Sequence, residues 1–533
     1  MKTSKLPMPR SLTRIATLCA LLAGCDLGGT TTTSGGGCKN GTGIDLAALG
    51  VTGQVTFVGP SSCGRFGADG SAALPLAGLA AIGQASTKGT IVLLAGDYDE
   101  ALTIDGDVTI VGSEPRGVRL HKTVTLTGSG TATVRGIDVV QASGVGIAAS
   151  GVEVVLDDVR VEGISASASA AGHGVQLNGV PSATLRSTTV RGAAGVGVLA
   201  KGSGAISIVE PIFVKAPRSV GDEKIGIVEP IFQPAALIAD NGQGGIAIVE
   251  PIFAPKGDEA SPALSMRGVE VRANTGFGVA LFGADAKIEA SAIHDTALGA
   301  TAAWADGVQM LAGKTERVGS LVIDADSVIT GNARSGVVVL TLASVKVAAE
   351  ISDNAFVGLW VNGKGSVIET DAKAVFWGNV LCGVGATGGA DLRMNGSRVG
   401  HTHGKDIGAE GVDRMVGDGV GVFDGARATI ENAQFVDNDR AAVLVHAAAT
   451  KSDGTVDVEI DGTTFVGGKY AVVVNGAAVP AMADSNAYEP SGSQSGGSTP
   501  TDAPANKAET SGGVPAQTGF CGDGQAQTCV PSF

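Results

Sequence analysis

Four groups of residues have types and spacings that suit chemistry. Arg135, Arg160, Arg186 and Arg191 recur around the acidic pair Asp157 and Asp158. A carboxylate-held metal beside an arginine or lysine base is the equipment of lyase chemistry, so Asp157, Asp158 and Arg160 are catalytic candidates. His173, between Gly172 and Gly174, is a fourth, as a general acid or base. Glu210, Glu229 and Glu250 occupy the same place in three near-identical phrases. Stacked on adjacent turns, their like charges would raise one another's pKa values, or together hold a hard cation such as Ca²⁺. His401-Thr402-His403, with Asp406 close by, sets two imidazoles on one side of an extended segment, without a specified third ligand. Each group has a plainer reading: ion pairs on an outer wall, a histidine at a turn, carboxylates splayed into water, a polar loop.

The elements that must position these groups announce themselves by a repeat. Asn274 precedes Gly278-Val-Ala-Leu281, Asn332 precedes Gly336-Val-Val-Val339, and Asn354 precedes Gly358-Leu-Trp-Val361. Asn379 stands likewise before Gly383-Val384, and Asn438 before Ala442-Val443, always four residues apart. The glycine before each strand falls at 146, 174, 197, 278, 307, 336, 358, 383 and 421, with alanine at 442 and 471. Most gaps suit one coil of a three-stranded parallel solenoid, in which a coil buries its inward residues only against its neighbours. Glycine at the bend would supply positive φ. Stacked coils would place the asparagine amides in a ladder. In the long gap from 197 to 278 lie Ala205–Phe213, Lys224–Phe232 and Gly245–Phe253, each ending Ile-Val-Glu-Pro-Ile-Phe; the simplest arrangement is three short coils stacked in register.

Gly89-Thr-Ile-Val-Leu-Leu-Ala-Gly-Asp-Tyr98-Asp-Glu100-Ala-Leu-Thr-Ile104 and Val108-Thr-Ile-Val-Gly112 are similar to the opening coils of the right-handed parallel β-helix, pectin-lyase-like superfamily. The resemblance covers roughly 65–480. It implies an all-β solenoid with a short N-terminal capping helix, here Ser71–Ser86 with Pro75 near its start. It says little about activity, because one such fold hosts many. Gly172-His173-Gly174-Val175-Gln176-Leu177 is similar to the Gly-His-Gly strand of polygalacturonases, members of the same superfamily. Hydrolysis of a glycoside needs flanking carboxylates, and in that family they lie on the same face of neighbouring coils. The preceding coil here, Gly144–Ser150, offers none, and the family's basic partner motif is missing. In polygalacturonases the active cleft is an outward strip of the strand face. The matching strip here reads Ala148, Gln176, Leu199, Ala280, Gln309, Val338, Trp360, Phe423, Leu444 and Val473. An exposed apolar strip implies a bound partner, a glycan-stacking groove near Trp360, or cover by the chain's own tail; Gln176, Gln309, Trp360 and Phe423 are the binding candidates.

Residues 1–24 read as a bacterial lipoprotein signal: Lys2, Lys5, Arg10 and Arg14, then apolar Ile15–Leu22. Leu22-Ala23-Gly24-Cys25 is similar to a lipobox, with Cys25 as the lipidation site and the membrane as a partner through the lipid. The expected location is the bacterial cell envelope, periplasmic or surface-exposed. Removing residues 1–24 takes the formal charge from −15 to −19, which disfavours nucleic acid. Residues 25–43 read as a flexible tether and 44–88 as a cap region. The β-helix is expected over 89–480, and 481–533, rich in Ser, Gly and Pro, as a disordered tail. An oxidising compartment permits disulfides, with Cys38–Cys63 and Cys521–Cys529 the plausible pairs. Cys382 is then a buried free thiol. The balance of these readings is a lipid-anchored β-helix that binds or scaffolds a polysaccharide or protein. The second reading is a carbohydrate-active enzyme, a polysaccharide lyase or glycoside hydrolase.

Overall fold

The computed structural model describes residues 40–63, 68–84, 89–209, 236–249, 263–299, 304–313, 318–340, 342–406, 415–446, 457–475, 481–489 and 507–508. Their strands form three parallel sheets of 17, 15 and 15 strands, here called A, B and C, and one short antiparallel pair, Lys405–Asp406 with Met415–Val416. The chain visits the sheets in a constant order. Val145–Ser150 lies in C, Glu153–Asp157 in A, Arg160–Glu162 in B, and His173–Asn178 returns to C one coil on. This is a right-handed parallel β-helix, the hand that parallel crossovers take. Inward residues stack coil upon coil. In sheet C, Val175, Val198, Ile246, Val279, Val308 and Val337 form one fully buried row. Sheet A alternates buried and more exposed positions, as along Glu153–Asp157, so its outer face is wet.

The corner between sheets B and C carries the asparagines, and they do form a ladder. Asn332 Nδ2 donates to Asn354 Oδ1 at 2.9 Å, and Asn354 Nδ2 to Asn379 Oδ1 at 2.9 Å. Asn241 Nδ2 donates to Asn274 Oδ1 at 2.8 Å. Each of these acceptors also takes the backbone N–H of the preceding asparagine. Two rungs are threonine, Thr296 and Thr402, whose buried hydroxyls find no partner because the side chain is one bond too short to reach the next rung.

The structure corrects several expectations. Positive φ does not fall on the glycine that opens each C strand. It falls on the residue just before the ladder position: Asp240, Ala273, Asp295, Gly331, Asp353, Gly378 and Asp437. The strand glycines are small for another reason. A Cβ on Gly307, Gly336 or Gly358 would collide with the next coil's glycine carbonyl and with an asparagine amide. That column also runs through Gly419, not Gly421, and includes Gly245. The capping helix is replaced by a short strand, Leu76–Ala77, paired with Val58–Gly59, and a 3-10 turn, Leu79–Gln84; Gly78 at φ 77° interrupts any α-helix through this segment.

The described strands of the first and third Ile-Val-Glu-Pro-Ile-Phe copies do not stack on one another, and the second copy, Lys224–Phe232, lies outside the described residues. The first copy's strand, Ala205–Val209, lies in sheet A against Leu264–Arg267, while the third's lies in sheet C against Phe277–Phe282. Alternating Ile-x-Ile fits any wall of a solenoid, so the repeated phrase carries no register. The solenoid also exceeds its expected bounds. Val55–Val58 pairs with Thr90–Leu93, and Ala487–Glu489 pairs with Thr464–Val466, so part of the cap region and the start of the expected tail are coils.

Replacing Gly358 by alanine puts a Cβ 2.8 Å from Asn379 Nδ2 and closer still to the carbonyl of Gly383. The expected cost is about 1–3 kcal/mol, read as a lower urea midpoint than wild type. An unchanged midpoint would contradict the close-packed corner.

Candidate functional site: the outer face of sheet C

Long connections gather at the edges of sheet C. Residues 250–262, 447–456 and 476–480 lead from C to A, a step that Gly151-Val152 makes alone. On the other edge 163–172, 295–305 and 401–417 lead from B into C. One further long segment, 210–235, joins A to B instead. Function tends to reside where a rigid scaffold carries such connections.

The predicted outward strip is real as a register. Ala148, Gln176, Leu199, Ala247, Ala280, Gln309, Val338 and Trp360 are successive partners across the sheet, continued by Gly385, Gly421, Leu444 and Val473. Phe423 stands two residues beyond the strip, opposite His446, and its ring lies back over Gly421. The expectation of exposure holds for one end only. Thr103 is exposed and Thr125, Ala148 and Gln176 are half-buried, whereas the strip from Leu199 to Val473 is buried where its burial is described. The open end is therefore small and polar. The buried part holds two apolar clusters: one around Leu199, Ala247, Ala280 and Phe282, the other around Trp360, Phe423 and Leu444. Trp360 and Phe423 rings stand 5.6 Å apart.

Three titratable residues sit at the first position of C strands and do the same job. His173 Nδ1 accepts the Val196 N–H of the next coil at 3.0 Å, and Asp306 Oδ1 accepts that of Ser335 at 3.0 Å. Asp418 accepts from the backbone of Ala441. Burial pushes the His173 imidazole below its ordinary pKa, and Lys201 adds to the effect. Asp306 and Asp418 each carry an arginine from the following coil. Arg334 Nε lies 2.7 Å from Asp306 Oδ1, and Arg440 Nε 2.9 Å from Asp418 Oδ1. Burial raises the Asp418 pKa against the pull of Arg440. These arginines were missed from the sequence. Their signal is an Asp directly before a strand glycine, followed one coil later by an Arg two residues before the next Gly or Ala. Cys382, one rung before Asp418, is buried and free, its thiol pKa raised by burial.

The arginine–aspartate group is divided among inter-coil ion pairs and does not converge. Arg135 Nε holds Asp157 at 2.9 Å, Arg116 bridges Asp138 and Asp158, and Arg160 and Arg191 both lean on Glu162. The His401 ring lies tilted against Trp377 with centroids 4.4 Å apart, while the backbone of His403 bridges Val380. Among the described residues no group of three or more His, Cys, Asp or Glu is placed to hold a metal. Cys63 is disulfide-bonded. Cys25, Cys38, Glu210, Glu229, Glu250, Cys521 and Cys529 lie outside the described residues. Val209 and Val249, which precede the first and third glutamates, belong to sheets A and C.

No protein-family model matches the chain, and no curated protein sequence matches it. Among solved structures it is similar to a pectate lyase, at 13% identity and a TM-score of 0.35, covering 82% of this chain and 81% of that one. It is also similar to a periplasmic alginate epimerase, at 9% identity and a TM-score of 0.30, covering 75% and 76%. A mannuronic acid specific polysaccharide family 6 lyase from human gut microbiota gives 9% identity and a TM-score of 0.29, covering 76% and 81%. Likenesses of this size say nothing about chemistry, which is argued from the residues alone.

A histidine whose folded pKa is lowered takes up its proton more readily when unfolded. His173 thus contributes a stability cost that is absent at neutral pH and grows as pH falls below about 6.5. His173→Asn, which keeps an acceptor for Val196, is expected to flatten the loss of stability between pH 7.5 and 5.5, followed by urea denaturation at each pH.

Proposed function

We propose that the protein is a lipid-anchored component of the bacterial cell envelope whose sheet C face binds a polysaccharide as an extended chain, without cleaving it. The observation that carries this reading is the face itself. At its open end Thr103, Thr125, Ala148 and Gln176 form one outward register on four successive coils. A polymer of regular repeat meets such a wall many times over, so weak contacts sum. The half-open rungs at Thr125, Ala148 and Gln176 offer hydroxyl, methyl and amide groups suited to sugar rings. Binding is favoured over catalysis because the acid and base candidates are held in contacts between coils: His173 with Val196, Asp157 with Arg135, Asp158 with Arg116. The lipobox-like Leu22-Ala23-Gly24-Cys25 supports anchorage, and the acidic composition argues against nucleic acid.

The test uses protein beginning at Lys39, mixed with neutral and acidic polysaccharides with and without Ca²⁺ and followed by size-exclusion chromatography. Co-elution with at least one polymer of unchanged length is expected, and Gln176→Trp should weaken it. Elution apart from every polymer would reject the binding wall. Shortened polymer would replace it with an enzyme.

A further inference from the structure

We infer that the later strands of sheet B form, on their outer face, a docking surface for a protein partner. The partner presents a single carboxylate among apolar side chains, and Arg398 lying on Trp377 is its anchor. This surface is on a different wall from the proposed glycan face and stands or falls independently of it.

The outer face of sheet B changes character along the solenoid. Over its first part the arginines are paired. Arg119 meets Asp97 at 3.0 Å, Arg160 and Arg191 lean on Glu162, and Arg272 meets Glu270 at 3.4 Å. Further on, Val375–Trp377, Arg398–Gly400, Gln434–Val436 and Thr464–Val466 follow one another in register and carry no acid. Their middle residues, Phe376, Val399, Phe435 and Phe465, are buried in the core, so the strand ends face outward. Val375, Trp377, Arg398, Val436 and Val466 are half-buried there, and Gln434 is exposed. In a chain of formal charge −15 this wall is mostly apolar and holds one cation.

Arg398 is the sheet B strand arginine that meets no carboxylate among the described residues. Its guanidinium lies 4.5 Å over the Trp377 ring, and its Nε is shut off from water and bonded to nothing. Its neighbours in register are Val375 and Gln434, neither of them an acid. Arg334, stacked likewise on Trp304, holds Asp306 as well. Trp377 is itself fixed in place. Its ring rests over Gly400, where a Cβ would come within 2.6 Å, and the His401 ring lies tilted against it. The guanidinium is therefore positioned before any partner arrives.

A planar guanidinium suits a carboxylate, which takes two of its N–H groups at once. Tryptophan and arginine among apolar side chains are the composition of interface hot spots. The four strands span about 14 Å, three spacings of about 4.8 Å, and over that length offer one positive charge. A uronic acid polymer or an anionic lipid surface would bring several charges to an acidic chain and find one met. A protein can bring one acid and surround it with apolar groups.

The full chain is panned against random peptides displayed on phage. Recovered peptides are synthesised and titrated by fluorescence anisotropy, beside trigalacturonate and phosphatidylglycerol vesicles. The peptides are expected to carry one Asp or Glu among apolar residues, and changing that acid to its amide should weaken binding about tenfold. Arg398→Met should weaken it equally. Gln434→Glu gives Arg398 a carboxylate on the adjoining rung. It is expected to keep or raise the melting temperature while weakening the peptides about tenfold. A stack with only a structural role would gain the same stability and leave peptide binding unchanged. Peptides that bind both variants as they bind wild type, or no enrichment at all, would overturn the docking surface. Trigalacturonate or vesicles bound more tightly than any peptide, and lost in Arg398→Met, would overturn the protein partner in favour of a glycan or a membrane.

Discussion

Everything in this solenoid depends on how the chain turns the corner from sheet B into sheet C. Successive coils lie about 4.8 Å apart, so whatever stands at a corner stands against its own counterpart above and below. At this corner the backbone leaves the regular ladder, and its N–H groups need other acceptors. Asparagine meets the need, accepting from the coil before and donating to the coil after. Its amide occupies the space that a side chain on the strand glycine would fill. The residue ahead of it takes the left-handed conformation that aims the amide inward. Three positions within a few residues are thus settled together, and the direction of every six-residue C strand follows.

The same accounting explains the polar residues that look most like chemistry. His173, Asp306 and Asp418 stand where a strand begins on the outer side, and each accepts a backbone N–H from the next coil. A turn histidine and two buried carboxylates are one structural device made from different side chains.

The solenoid was legible because Asn and Gly recur at fixed separation, and that spacing is a direct image of the corner. Where two registers satisfied the same pattern the reading slipped. Gly419-Val420-Gly421-Val422 offers either glycine, and choosing the second displaced Phe423 onto the strip. The coil opened by Gly245 was hidden by its likeness to Ala205–Phe213, since strand alternation does not say which wall a strand joins. The covered state of the outer face had no local signal at all: Leu199 and Leu444 would read the same whether bare or buried. The arginine partners were similarly hidden, because Arg334 and Arg440 meet their aspartates only across coils.

The amide ladder has a polarity. In every described rung the asparagine Oδ1 faces the preceding coil, from Ala193 and Asn241 through Asn354 to Thr402. The carbonyl dipoles therefore add along the axis, and each hydrogen bond polarises the next. The two ends of such a column are not equivalent. Any residue with a backbone N–H can begin it, as Ala193 does, but only a coil that brings its own acceptor can lengthen it. Coil duplications that carry an asparagine thus extend the column in one sense only, and each threonine rung divides it into shorter dipoles with smaller fields.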